Sequence, residues 1–93
     1  MDKIQVNAEW KHVYDMNDDF THASLENEDG HTICYVSQPS PQRERYEWWA
    51  GGPFCNVAKG KTDDLDEAKE KAEEALEQWL EQVTGKIFIM NVG

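Results

Sequence analysis

The sequence predicts an α+β fold, a mostly antiparallel sheet of four to six strands with one long helix packed across one face. Three observations carry this expectation. Residues 3–14 alternate in polarity with a period of two, residues 62–85 repeat apolar side chains at steps of three and four, and the remaining apolar runs are short and separated by turn formers.

In the first run Ile4, Val6, Ala8, Trp10, His12 and Tyr14 share one parity, with Lys3, Gln5, Asn7, Glu9 and Lys11 on the other. That pattern predicts a half-buried strand from Lys3 to Tyr14. Asp15-Met16-Asn17-Asp18-Asp19 breaks it, and a second strand is expected from Phe20 to Glu26. Asn27-Glu28-Asp29-Gly30 ends that strand with an Asp-Gly hairpin signal, because glycine accepts the positive φ of a tight turn. The β-branched and aromatic residues of His31–Ser37 predict a third strand. Gln38-Pro39-Ser40-Pro41-Gln42 reads as a loop, since two prolines remove two ladder donors. Arg45–Ala50 predicts a fourth strand, Gly51-Gly52-Pro53 a turn, Phe54–Lys59 a short fifth strand, and Lys86–Asn91 a last one.

The helix lies between these last two. Thr62, Asp63 or Asp64 can cap its first amides. Leu65, Ala68, Ala72, Ala75, Leu76, Trp79, Leu80 and Val83 form one apolar stripe, and Gly85 stands where a left-handed residue ends a helix. Trp48 and Trp49 are neighbours on a strand and point to opposite faces. Trp10, Trp79 and one of that pair are expected between sheet and helix. The other is left partly exposed, with Trp49 as a candidate contact residue.

A chain of 93 residues, 39% of them apolar, makes a single domain, 1–93. Nineteen acids against nine bases give a formal net charge of −10. This charge excludes ordinary nucleic-acid binding, which needs a clustered positive footprint, and opposes adhesion to anionic membranes. No run of apolar residues is long enough to span a bilayer, and Met1-Asp2-Lys3-Ile4-Gln5 holds no hydrophobic signal core, so a cytoplasmic protein is expected. In that compartment Cys34 and Cys55 are expected as reduced thiols, with a single bridge left open. His12, His22 and His31 show no metal-ligand spacing with them, and no cofactor is implied. No Ser-His-Asp or Cys-His context and no phosphate-cradling loop is present, so no enzyme is expected.

The distribution of acid is more informative than its total. Between Thr62 and Gly85 nine acids face two bases, Lys69 and Lys71. Glu70, Glu74, Glu77 and Glu81 follow at steps of four, three and four, which costs an isolated helix a few tenths of a kcal/mol per like-charged pair. A second cluster, Asp15, Asp18, Asp19, Glu26, Glu28 and Asp29, lies in the turns, and no base stands between Lys11 and Arg43.

Two resemblances follow from particular residues. Glu28-Asp29-Gly30 before a strand, then Gly60-Lys61-Thr62, Asp66-Glu67-Ala68 and Leu76-Glu77-Gln78-Trp79-Leu80, resemble the N-terminal domain of HicB-type antitoxins over residues 20–84. In size, acidity and an aromatic strand leading into a Gly-x-Thr capped helix, the chain is similar to small acidic phage-encoded proteins, some of which mimic DNA to block restriction, CRISPR or repair machinery. The resulting expectation is a non-catalytic, DNA-mimic-like inhibitor that binds a basic, nucleic-acid-handling surface of a partner protein and no nucleic acid itself. Asp66, Glu70, Glu73, Glu74, Glu77 and Glu81 would carry the contact, with Asp18 and Asp19 as a second patch. The alternative is a HicB-like structural or regulatory domain that self-associates as a homodimer through the Tyr46-Trp48-Trp49 strand.

Overall fold

The computed structural model of the protein describes residues 3–38, 45–51 and 57–93. Six strands and one helix follow in the order β1 (Lys3–Tyr14), β2 (Phe20–Asn27), β3 (Thr32–Ser37), β4 (Tyr46–Ala50), β5 (Ala58–Thr62), α1 (Leu65–Thr84) and β6 (Ile87–Val92). They form one sheet in the order β5-β4-β3-β2-β1-β6. Every pairing is antiparallel except the last, where β6 lies parallel to β1 with Ala8 opposite Val92.

That topology assigns the helix its task. The chain leaves β5 at one edge of the sheet and must enter β6 at the other, about 24 Å away across five inter-strand steps. A 20-residue helix, about 30 Å long, makes this crossing diagonally. Asp64 caps its start with an extended backbone and accepts the Glu67 amide. Gly85 ends it at φ 72°, a left-handed conformation, and donates its amide to the Glu81 carbonyl.

The buried residues of the helix are Ala68, Ala72 and Leu76. Two alanines permit a close approach to β3, β4 and β5, and the Cys34 thiol donates to the Ala72 carbonyl at 3.5 Å. Leu25, Val36 and Cys34 are fully buried beneath the helix, with Ala23 and Ala50 beside them. Cys34 is a free thiol, and burial pushes its pKa up to about 12. Toward β1 the gap is wider, and Trp10 fills it.

Several expectations change here. The fifth strand, expected over Phe54–Lys59, is Ala58–Thr62; residues 54–56, like Cys55, the Pro39–Pro41 loop and the Gly52-Pro53 turn, lie outside the described residues. Ala-Lys-Gly-Lys-Thr has little strand propensity of its own, and its register is set by β4, where Trp48 opposes Gly60. Trp79 does not enter the core: it is 40% exposed, as is most of Val83. The reason is the narrowness of the sheet below. β2 pairs with β1 only from Ala8 onward, so β1 up to Asn7 has β6 alone beside it, and the last helical turns lie at this end. Trp48 does pack against the core, whereas Trp49 stands on the opposite, helix-free face.

Gly60 is the tightest point. A Cβ there would stand 2.6 Å from Trp48 Cζ2. Gly60→Ala is expected to destabilise the protein by about 1–3 kcal/mol through displacement of the indole, read as a lower denaturation midpoint in urea. An unchanged midpoint would mean that Trp48 moves freely.

Candidate functional site

The polar side of α1 follows from its apolar side. Leu65, Ala68, Ala72 and Leu76 turn toward the sheet, and at 100° per residue Asp66, Glu70, Glu73, Glu74, Glu77 and Glu81 fall within an arc of about 100° away from it. Asp66 and Glu67 in the first turn sit favourably against the helix dipole, whereas Glu74, Glu77 and Glu81 have no such support.

The ridge is not neutralised. Among the described residues the ion pairs are Lys11–Glu26 at 3.7 Å, Arg45–Asp63 at 3.5 Å and Lys61–Glu47 at 3.4 Å, and none involves a helix acid. Lys69 turns away to meet the His12 ring and lies 5.6 Å from the centre of the Trp10 ring. Glu74 accepts a hydrogen bond from Gln78 at 3.2 Å and meets no cation among the described residues. Glu77 is half-buried, and its carboxyl titrates above the usual 4.5, first because of burial and then through the fields of Glu81, Glu74 and Glu73. Three ridge carboxylates therefore act on a fourth.

Two members behave differently. Glu73 is half-buried and accepts the Trp10 Nε1 proton at 3.0 Å, which ties the helix to β1 across 63 residues of sequence. Asp66 acts on His12 through its charge: burial and the Lys69 charge hold that imidazole below its ordinary 6.5, and the Asp66 carboxylate opposes them.

Asp18 and Asp19 are not on the ridge. They sit at the β1–β2 turn, where Asp15 accepts the amides of Asn17 at 2.8 Å and Asp19 at 3.0 Å, and Asp18 adopts φ 62°. Both residues are exposed, and among the described residues neither takes part in an ion pair. Sequence reasoning missed the apolar companions of this tip. Met16 is fully exposed and Tyr14 is 57% exposed, stacked on His12 and edge-on to Phe20. A methionine between Asp15 and Asn17 was the available signal, because turn composition alone does not call for it.

Trp49 belongs to a third surface. On the helix-free face it leans on Tyr35 at 5.4 Å, and Tyr35 stacks on His22 at 5.3 Å. Tyr46 and Trp48, its companions in the predicted self-association strand, pack on the helix side instead. β4 is also an inner strand with neighbours on both sides.

No protein-family model, curated protein or solved structure matches the chain. No helix of the described residues is long and apolar enough to cross a membrane.

The raised Glu77 pKa fixes a sign. The folded state holds this proton more tightly than the unfolded chain, so the group's stabilising contribution is complete below about 4.5 and is lost as pH rises through the raised value. Glu77→Gln is expected to stabilise the protein at pH 7 by a few tenths of a kcal/mol per like-charged neighbour, and to flatten the stability change just above pH 4.5. Urea titrations at pH 4.5 and 7 test both. A variant less stable at pH 7 would show the carboxylate to be satisfied in place.

Proposed function

We propose that this is a non-catalytic cytoplasmic binding protein whose acidic helix ridge occupies a basic surface of a partner, in the manner of a nucleic-acid mimic. The observation that supports the reading most directly is the absence, among the described residues, of ion pairs on the ridge, although Lys69 and Lys71 stand on the same helix. Carboxylates about 5–6 Å apart along a rod approximate the spacing of phosphates along a strand. A lysine- and arginine-lined groove would supply the cations that the chain itself withholds. Such a surface steers association, making it fast and dependent on salt. Asp66, Glu70, Glu74, Glu77 and Glu81 make the contact in this reading, Glu73 contributes while anchoring Trp10, and Asp18 and Asp19 extend the acid at the hairpin tip.

The test is reversal of Glu70, Glu74 and Glu77 to lysine. Immobilised wild-type chain is expected to capture proteins from the source cell's lysate that are released by duplex DNA and by about 0.5 M salt, where screening lengths fall to a few ångströms. The triple variant should capture none of them while keeping its circular dichroism spectrum. Equal capture by the folded triple variant would defeat the proposal.

A further inference from the structure

The two edges of the sheet are treated differently. β5, at one edge, carries Lys59 and Lys61, the kind of charged side chains that discourage further strand pairing. β6, at the other, reads Ile-Phe-Ile-Met-Asn-Val: six residues without charge, proline or glycine in a chain that is 30% charged. Ile89 and Val92 are 36% and 38% exposed. The Gly93 amide donates to the Ala8 carbonyl, so alternation turns the backbone groups of Asn91, Ile89 and Ile87 toward β1. Those of Phe88, Met90 and Val92 face outward, where no strand of the described residues follows. An edge of this kind is a template for pairing with another chain.

We infer that β6 pairs antiparallel with β6 of a second copy, joining two sheets into one across a two-fold axis at Ile89. The strand complements itself in this register. Ile89 meets Ile89 on the helix-free face, and Phe88 of each copy meets Met90 of the other on the helix face, exchanging about four backbone hydrogen bonds in all. The ends also match in charge. Lys86 precedes the strand and Lys3 lies beside its first residue, whereas Glu9 on β1 and Glu28, bonded to Asn7, flank its last. Antiparallel pairing brings the cationic end of one copy against the anionic end of the other, twice. From Lys86 to Gly93 the chain holds no acid, so this is also where two copies of a −10 protein meet with least repulsion. A single strand pair buries less than the roughly 800 Å² per partner of a standard interface, so the dimer forms on concentration and dissociates on dilution.

Sedimentation from low to several hundred micromolar is expected to show wild-type chain passing from monomer to dimer. Ile89→Lys sets two lysines against each other at the axis and should shift the midpoint at least tenfold, with an unchanged circular dichroism spectrum. Register is tested by disulfide trapping in a Cys55→Ser background, where buried Cys34 is protected from exchange. Ile89→Cys should cross-link its own copy, because directly opposed residues of a non-hydrogen-bonded pair stand about 4.5 Å apart at Cα, within disulfide reach. Asn91→Cys, two positions off the axis, should not. Wild-type chain that stays monomeric throughout, an Ile89→Lys variant that dimerises equally, or equal cross-linking at both positions overturns the inference.

Discussion

The close crossing of α1 over the sheet is the constraint on which the rest depends. One helix has to seal the apolar side of the sheet and also carry the chain from β5 to β6, so its path is diagonal and its buried stripe narrow. Alanines at 68 and 72 let it sit close enough for the Cys34 thiol to reach a helix carbonyl. A narrow inner stripe leaves a wide outer surface with no packing duty. The acids gather on that surface, and because tertiary packing of the apolar face holds the helix, unfavourable spacing on the other side is tolerated. The cost is still real in a small domain, where a few tenths of a kcal/mol per pair accumulate against a stability on the order of 5–10 kcal/mol. Glu77, titrating high among its neighbours, is where that cost is visible.

What was legible in the sequence was whatever local periodicity encodes. β1 has the bounds its alternation predicts, Lys3–Tyr14, and the helix runs from the predicted cap to Gly85 because both ends are written in short-range chemistry. Non-local choices were not legible. That β6 lies parallel to β1 depends on a crossing of the whole sheet, and β5 is a strand because Trp48 and β4 hold it, not because Lys-Gly-Lys favours extension. Trp79 was misplaced for a related reason. Its position on the apolar stripe is correct, but the stripe outruns the strands beneath it. Within the ridge, periodicity grouped Glu70, Glu74, Glu77 and Glu81 but could not show that Glu73 beside them bonds an indole 63 residues away.

Solubility is the plainest explanation for a charge of −10, and the placement of the charge speaks against it. The part of a β protein most in need of solubilising charge is an exposed edge strand, since its unpaired amides and carbonyls recruit other chains. Here β6 holds no charged residue, while nine acids stand on or just before a helix whose backbone is already satisfied. Two lysines guard β5, so the device is within this chain's repertoire. A sequence under pressure only to stay dispersed would move one or two carboxylates from the ridge, where they repel one another, to the edge, where they would be useful. Both departures from that expectation have the same physical form: a surface left without a complement among the described residues. In the readings proposed above, a basic partner would complement the ridge and another strand would complement the edge. A β6 seam of the proposed kind would leave the helix ridges of both copies outside the contact, so the two proposed surfaces would not compete.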